Sequence, residues 1–458
     1  MLTLQGYKIA KKDVPNMAEV RRALNVRPYV PSVFVKPQYV SRYPVFTETD
    51  HHLFVPKHYG IQTFGNITEN RRDVPKTDPK FWEFAGQIRP AQKEVVESYL
   101  CPEPRDGIIS LQTGGGKTVC ALYIASKIQM PTIVLVHNTF LRDQWLDRIK
   151  TFLPKARIGS IQGEVVDVQN KDIVVAMLQS VSLKEYPSSA FQSFGFVIVD
   201  ECHHIASESF SQSLTKMTCK HMLGLSATPE RKDKLMYVIN WFLGPMLYKS
   251  DTSDKVDEKV RVEVYDFEQG DDAYNEIIYN NSGVMFTTLM INKVAEYAPR
   301  NELIRELLED AFEEEGRQIL VLTDRVEHTK TIFDILPPAL QSQAGILGRN
   351  VKAADRTVMC ETKRILIGTY AMCKEGFDVA TLNTLLIATP RPDVDQTVGR
   401  ILRVEKDKRK VDPLIIDIVD PAFRRQFQER LGLYRKRNYQ VEKMKLLINE
   451  DSEKPVSA

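Results

Sequence analysis

The chain has 458 residues, of which 43% are hydrophobic and 27% are charged. This length exceeds one ordinary core and predicts two or three domains, since a domain holds about 150 residues. Lys and Arg total 62 against 60 Asp and Glu, for a formal net charge of +2, which excludes a polyanion-binding field over the whole molecule. Any contact with nucleic acid must therefore be local.

The cysteines indicate neither a disulfide framework nor a metal cluster. All six are scattered and none forms a Cys-x-x-Cys pair, which is typical of a reducing compartment. The N-terminus lacks an apolar signal core, and no run reaches the roughly 18 apolar residues that a membrane span needs. We therefore predict a soluble intracellular protein without membrane contact, in the cytoplasm, the nucleus or a virus. A monomer fits this composition, and the oligomeric state stays open.

Residues 1–80 differ in composition from the rest of the chain. The first sixty hold six prolines and eight Tyr or Phe, among short apolar alternations such as Val33–Val35 and Val45–Phe46. A helix is predicted at Met17–Leu24, and Asp50–Pro56 is typical of a turn that leads into a strand. We predict a small β-rich domain, whose Lys and Arg residues are either phosphate contacts or a solvated face.

An apolar strand at Gly107–Ser110 leads into a glycine-rich turn that ends in Lys117 and Thr118. Glycines at 114–116 let successive backbone N–H groups converge, and the apolar helix that follows adds the positive end of its dipole. Lys117 can then bind the β- and γ-phosphates of a nucleotide, and the Thr118 hydroxyl can bind Mg²⁺. Leu111 occupies the position of the first glycine in the strict pattern. The alternative is a glycine-rich loop without a ligand.

Apolar runs recur after this turn, between helical stretches, and indicate a parallel sheet buried on both faces. They are Thr132–Val136, Asp172–Ala176 and Phe194–Val199. The last run ends in Asp200 and Glu201, at the strand edge where open α/β sheets bind ligands. Asp200 can hold Mg²⁺, and Glu201 can polarise the water that attacks the γ-phosphate. His203 and His204 follow, and we expect them to pack or couple rather than to bind a metal.

A second α/β unit is predicted after the charged stretch Thr252–Asp257, which is typical of a linker. Its strand-like runs are Val260–Phe267, Gln318–Leu322, Ile365–Ile367, Thr384–Ile387 and Pro413–Asp417. Arg400 and Arg403 are three residues apart, so on a helix they would share one face with Gln396. Two guanidinium groups so placed can reach a γ-phosphate across a cleft. The alternative is a row of surface charge.

The stretch Phe423–Tyr439 interleaves aromatic and basic residues and is predicted to be a helix. Such a helix either contacts a phosphate backbone or docks on the second unit, and the sequence leaves both open.

These stretches, taken in order, resemble a superfamily 2 helicase with a DECH box. The matching stretches are Gln87–Gln92, Gln112–Thr118, Val134–His137, Met177–Ser180, Asp200–His203, Ser226–Thr228, Gly368–Asp378 and Gln396–Arg403. The pattern is most similar to the XPB-like DNA helicases and the virus-encoded transcript-release helicases. Cys202 also matches the DECH boxes of members that sense double-stranded RNA.

The resemblance implies an α/β fold with two tandem RecA-like parallel-sheet domains behind the β-rich segment. The implied domains are 1–80, 81–250 and 251–425, with a basic helix and tail at 426–458. ATP and Mg²⁺ are the implied cofactors, with Thr118 and Asp200 at the metal. The implied catalytic residues are Lys117, Asp200, Glu201, Gln396, Arg400 and Arg403. The implied nucleotide contacts are Arg89, Gln92, Thr113, Gly114, Gly115, Gly116, Lys117, Thr118 and Asp378.

By the same resemblance, the chain is predicted to move along nucleic acid at the expense of ATP, on DNA before RNA. Transcription, repair or recombination is the implied setting, with proteins of those processes as partners. Backbone contacts are expected near Gln179 and Ser180 in the first unit and near Thr369 in the second. The alternatives are an RNA-dependent ATPase and a non-catalytic nucleic-acid-binding scaffold. Intact Lys117, Glu201 and Arg400 favour an enzyme.

Overall fold

A computed structural model of the chain describes residues 1–29, 40–112, 114–227, 233–250, 259–268, 271–280, 283–348, 351, 353–373, 379–404 and 408–444. The fold divides into two compact units, Met1–Ser250 and Asp251–Ala458. The predicted linker Thr252–Asp257 and the alternation Val33–Val35 lie outside the described residues.

Unit 1 contains strands β1 to β14 and helices α1 to α9. The strands are Leu2–Thr3, Gly6–Ala10, Asn25–Val26, Tyr43–Pro44, Thr47–Glu48, His52–Val55, Gly107–Ser110, Thr132–Val136, Ile158–Gln162, Val165–Asp167, Ile173–Met177, Phe196–Val199, His221–Ser226 and Met246–Lys249. The helices are Met17–Leu24, Lys57–Phe64, Pro90–Leu100, Lys117–Ile128, Thr139–Phe152, Leu178–Leu183, Ser189–Gln192, Glu208–Lys216 and Met236–Leu243.

The main sheet of unit 1 has the order β10-β9-β11-β8-β12-β13-β7-β14. Its described pairings are parallel except that of β10 with β9. Every residue of β7, β8, β11 and β12 is buried, because helices cover both faces of a parallel sheet and leave no solvated side. The carboxyl ends of β7 and β12 are separated only by β13, so the residues that follow them share one edge.

The predicted β-rich N-terminal segment contains an antiparallel sheet of order β1-β2-β6-β5 and belongs to unit 1. Its core residues Leu24 and Val55 lie in the same buried cluster as Ile108 of the main sheet. The buried Arg72 guanidinium donates to the backbone carbonyls of Thr218 and Phe194 at 2.8 and 2.7 Å. These contacts attach the segment to the main sheet. The boundary predicted at residue 80 stays a prediction.

Unit 2 contains strands β15 to β21 and helices α10 to α18. The strands are Arg261–Asp266, Ile319–Thr323, Ala344–Leu347, Ile365–Thr369, Thr384–Ile387, Leu414–Val419 and Gln440–Met444. The helices are Asp272–Asn275, Thr287–Glu296, Ala298–Glu313, Val326–Asp334, Pro338–Ser342, Ala353–Thr362, Tyr370–Cys373, Asp395–Val398 and Arg424–Lys436.

The sheet of unit 2 has the order β17-β18-β16-β19-β20-β15-β21, and its described pairings are parallel. Two parallel sheets in series confirm the predicted α/β fold class. The basic helix α18 docks on this unit through one face. Its Arg430 guanidinium donates two bonds of 2.8 Å to the Asp417 carboxylate, which also accepts from the Tyr434 hydroxyl at 2.9 Å. All three side chains are buried, and the charges of Arg430 and Asp417 compensate each other there. The alternative, contact of this helix with a phosphate backbone, stays a prediction.

Candidate nucleotide site

The phosphate loop connects β7 to α4 and depends on left-handed glycines. Gly114 and Gly116 have φ of 81° and 83°, a region that side chains rarely enter. A Cβ atom on Gly116 would lie 2.1 Å from Nε2 of Gln92. α4 then starts at Lys117 with its N-terminal amides at the loop, as an anion site requires. Thr113 lies outside the described residues.

Gln92 braces this loop from the start of α3. Its Oε1 accepts from the Arg89 backbone N–H at 2.9 Å, and its Nε2 donates to the Gly115 carbonyl at 3.3 Å. The residue is buried. Gln92 therefore lies beside the predicted phosphate cradle, with both amide groups engaged by backbone. Arg89, which precedes α3, is exposed.

Asp200 and Glu201 follow β12 directly and lie at the same sheet edge as the loop. Asp200 is buried, and its Oδ2 accepts from the Trp145 indole N–H at 2.8 Å. Its Oδ1 accepts from the Glu201 backbone N–H at 3.0 Å. Burial, and then the Glu201 carboxylate, raise the pKa of Asp200. A nearby cation would stabilise the ionised form of a buried carboxylate whose pKa is raised in this way.

Lys117 and Glu201 form an ion pair across this edge. Lys117 Nζ lies 3.3 Å from Glu201 Oε1 and 3.5 Å from the Leu111 carbonyl oxygen. Burial raises the pKa of Glu201, but the Lys117 ammonium and then the His203 imidazole outweigh it, so that the pKa is lowered overall. The glutamate is thus held as an anion, as a residue that polarises water must be.

The backbone of Glu201 adopts the left-handed conformation, with φ 45° and ψ 53°. This conformation is uncommon outside glycine, Asn and Asp. Its Oε2 lies 3.4 Å from His203 Nδ1 and, among the described residues, has no hydrogen-bond partner although it is buried. A buried acceptor in this position can take a water or a substrate atom.

Three histidine rings extend from this carboxylate toward β8. His203 lies 4.3 Å from His204 between ring centroids, and His204 lies 4.2 Å from His137. His203 Nδ1 is 3.4 Å from Ser226 Oγ, at the end of β13. The Gln179 side-chain amide donates to the His137 backbone carbonyl. His203 and His204 therefore pack against each other, and Gln179, a predicted nucleic-acid contact, is bonded to the backbone of the third histidine.

Sequence reasoning did not single out Trp145 or give His137 a role at the site. His137 follows β8 as Asp200 follows β12, so the topology of a parallel sheet could have indicated its position. Trp145 lies in α5 and packs into a buried apolar cluster. No sequence signal marks it. Its indole N–H needs an acceptor only because the ring is fully buried.

The predicted helix over Gln396–Arg403 is wrong. α17 ends at Val398, and the chain then tightens into turns in which the Arg400 N–H donates to the Thr397 carbonyl and the Ile401 N–H to the Val398 carbonyl, each at 3.1 Å. Three-residue spacing of these bonds replaces the α-helical pattern, as is usual at a helix end and favoured by Gly399. Arg400 and Arg403 therefore lie beyond the end of α17, and no α-helix carries them on one face with Gln396. Arg400 is buried, and Asp378 lies outside the described residues.

A Mg²⁺ ion fits Asp200 and Thr118, because both offer the oxygen ligands that this ion prefers and Asp200 is a buried anion beside a second carboxylate. Over the described ranges, no cluster of three or more His, Cys, Asp or Glu is arranged to hold a metal ion. Nor is any helix in those ranges long and apolar enough to cross a membrane.

The chain is similar to proteins whose names describe helicases. A family model described as "Type III restriction enzyme, res subunit" matches residues 85–231. "Putative ATP-dependent RNA helicase L396" of Acanthamoeba polyphaga mimivirus is 30% identical, covering 96% of this chain and 86% of that protein. "Putative helicase 161L" of Invertebrate iridescent virus 6 is 26% identical, covering 80% and 84%. The solved structure of S. cerevisiae Dbp5 bound to RNA and ADP BeF3 has a TM-score of 0.56 at 14% identity, covering 78% of this chain and 90% of that one.

Proposed function

Because the chain belongs to the superfamily 2 helicases, we propose that it hydrolyses ATP and uses the energy to move along nucleic acid. One observation carries this proposal. The Lys117 ammonium lies 3.3 Å from the Glu201 carboxylate, beside a loop whose left-handed glycines turn backbone N–H groups inward. A cation for the phosphates and a base for the water thus share one strand edge.

Lys117 has two roles in this proposal. Without nucleotide, its ammonium neutralises Glu201 and keeps that buried side chain ionised. When phosphates enter the loop, they compete for the same ammonium and leave the glutamate carboxylate facing the attacking water. Oε2 of Glu201 accepts a proton from this water as the water oxygen bonds to the γ-phosphorus, while the bond from that phosphorus to the β–γ bridging oxygen breaks and ADP leaves.

Thr118 and Asp200 would hold the magnesium ion, which supplies charge neutralisation for the phosphate oxygens. The Trp145 indole N–H fixes one oxygen of Asp200 at 2.8 Å. This bond orients the carboxylate, because a ligand that is itself hydrogen-bonded keeps its geometry.

In this proposal, unit 2 contributes Gln396, Arg400 and Arg403 to catalysis and Asp378 to nucleotide binding. A guanidinium can hold two phosphate oxygens and spread their charge as the transition state forms. The Arg400 backbone N–H donates to the Thr397 carbonyl at 3.1 Å, so this residue starts from a turn and not from a helix face. Closure of a cleft by ATP and its reopening after hydrolysis would then drive movement.

DNA is the first choice of polymer, from the resemblance to XPB-like helicases, with transcription, repair or recombination proteins as partners. RNA is the second candidate, because the name of the mimivirus relative refers to RNA and the Dbp5 structure contains it. Gln179 and Thr369 are the proposed contacts near the backbone. The intracellular setting, cytoplasmic, nuclear or viral, stays a prediction.

Steady-state ATPase rates with single-stranded DNA, duplex DNA, RNA and no polymer test the function, at one stated salt concentration. DNA should stimulate turnover most. Greater stimulation by RNA would replace the first choice with the second. No turnover with any polymer would leave only the non-catalytic scaffold.

A further inference from the structure

A polar cavity lies at the edge of the unit 1 sheet where the parallel strands begin, opposite the edge that carries the nucleotide site. It has a volume of about 530 Å³, which is within the range of small-ligand sites. His221 at the start of β13 lines it, together with Asp106 before β7 and Lys127 near the end of α4. The phosphate loop follows the other end of β7, so this cavity is distinct from the nucleotide site.

Basic side chains dominate the lining. Four lysines and two histidines face two carboxylates: Lys57, Lys76, Lys127, Lys220, His58 and His221 against Glu103 and Asp106. Lys220 also pairs with Asp73, outside the lining, at 2.7 Å, so the lysines exceed the carboxylates by one charge, and the carbonyl end of α4 offsets about half of that charge. The cavity therefore attracts anions.

The Asp106 carboxylate and the Lys57 ammonium form an ion pair inside the protein, so their two charges offset each other and the remaining field toward a ligand comes from the other lysines. Lys57 Nζ lies 2.5 Å and His58 Nε2 3.1 Å from Oδ2, and the Met222 backbone N–H donates to Oδ1 at 3.0 Å. Burial raises the pKa of Asp106, and the Lys57 and His58 groups more than reverse that effect.

Lys57 is held in place beside this cavity by contacts within the protein. Its side chain is only 8% exposed, and its ammonium donates to Asp106 and to the Lys220 carbonyl oxygen, at 2.7 Å. An ammonium has three N–H donors, and the described residues supply these two acceptors. One buried donor is thus left for a ligand.

The lysines near this cavity also affect the pKa of His221. Its pKa is lowered to about 4, first by burial and then by Lys57, Lys220 and Lys76, while Asp106 acts in the opposite direction. Three lysines therefore act together at one half-buried ring, which stays neutral at neutral pH.

We propose that this cavity binds a phosphate-bearing anion, through Lys57, Lys76 and Lys127. The source is either the backbone of a nucleic-acid strand or a free polyphosphate, since both present the same oxygens to ammonium groups. The site goes beyond the proposed ATPase and does not depend on it, because none of its residues touches the phosphate loop.

Calorimetric titration of the full chain with tripolyphosphate tests the site. Lys117→Ala removes phosphate binding at the loop and should leave a second binding event. Adding Lys76→Glu and Lys127→Glu should then weaken that event by about tenfold or more, since each removes a phosphate contact. Lys150→Glu, at an exposed lysine of α5, is the matched control and should change nothing. Lys76 and Lys127 are exposed, so equal melting temperatures should show that the variants fold.

Labelled DNA and RNA oligonucleotides distinguish the sources. If the Lys76→Glu and Lys127→Glu pair also lowers oligonucleotide affinity and reduces its salt slope by about two, the occupant is a nucleic-acid backbone. If only tripolyphosphate binding falls, the occupant is a free polyphosphate. Absence of binding in the Lys117→Ala chain, or equal binding after charge reversal, would overturn the site.

Discussion

Glu201 combines a buried charge with a left-handed backbone, and each is costly by itself. A non-glycine residue in this conformation costs on the order of 1–3 kcal/mol. The Lys117 ammonium at 3.3 Å compensates the charge, and the His204 N–H bond to the Glu201 carbonyl at 3.0 Å fixes the turn. The sequence predicted which residues gather here, because motif order fixes their types. It did not predict the ion pair or the strain, which arise only when two loops meet.

Glu201→Gln should keep ATP binding and lose turnover by about 10²- to 10⁴-fold, since the amide keeps the shape but cannot accept a proton from water. Binding of a fluorescent ATP analogue and steady-state ATPase rates measure the two effects separately. Glu185→Gln, at a side chain that is 90% exposed, is the control. Normal turnover in Glu201→Gln would show that another group activates the water.

Gly116→Ala should weaken ATP binding by about tenfold, because a side chain at φ 83° costs roughly 1–2 kcal/mol and its Cβ would also meet Gln92. Gly163→Ala is a matched control. Gly163 also has a positive φ, of 59°, but nothing lies within 4 Å of an added Cβ, so ATP affinity should be unchanged. Equal ATP affinities in the two variants would contradict the role of Gln92 as a brace.

At the scale of elements, the apolar strands and the helix at Met17–Leu24 were predicted closely, whereas the helix expected around Arg400 was not. The apolar runs of unit 1 placed β8 exactly at Thr132–Val136 and β11 within one residue, because burial on both faces leaves an uninterrupted apolar signal. The turn at Gly399 carried no comparable signal. A four-residue helix is decided by its surroundings, since such a length is not stable by itself.

His328 on α13 predicts how acid acts on unit 2. Its ring is buried between Thr323 Oγ1 and Asn301 Oδ1, each at 2.8 Å. Burial, and then Arg300, lower its pKa to about 3, below the unfolded value of about 6.5. Below pH 6.5 the unfolded chain takes up a proton that the folded chain excludes. Stability is therefore lost as pH falls toward 3, by up to about 1.4 kcal/mol per pH unit.

His328→Gln should remove this part of the pH dependence. Denaturant unfolding between pH 7 and pH 4 measures the free energy of unfolding at each pH. Ile332→Val, a buried change on the same helix, is the control and should lower that free energy equally at every pH. A slope that His328→Gln leaves unchanged would show that other groups titrate.

At the scale of the whole molecule, the sequence predicted two parallel sheets in series but not how the first eighty residues attach. Alternating apolar and helical stretches carry the signal for each sheet. The attachment depends on single long-range contacts, such as Arg72 with the backbone at Phe194. A lone arginine in a loop gives no sign of burial in a sequence, so such contacts could not be predicted.

Arg400 and Arg403 test the proposal that residues of both units act on one nucleotide. Replacing either with Ala should spare ATP affinity, which the loop of unit 1 provides, and slow hydrolysis by about 10³-fold or more, as for arginine fingers. Saturating DNA in the ATPase assay, alongside binding of a fluorescent ATP analogue, separates the two quantities. Arg424→Ala, at a side chain of unit 2 that is 59% exposed, is the control.

Lysine should not restore the rate at either position. Arg400 lies in a turn whose backbone bonds of 3.1 Å fix where its side chain begins. An arginine and a lysine at this position would therefore differ only in the side chain, and mainly in the charged group at its end. A lysine ammonium has the same charge but cannot form two parallel bonds. Full rescue by Arg400→Lys and Arg403→Lys would therefore mean that charge alone is needed. Near-normal turnover in both alanine variants would show instead that unit 1 hydrolyses ATP without them, and the proposed role of unit 2 would be lost.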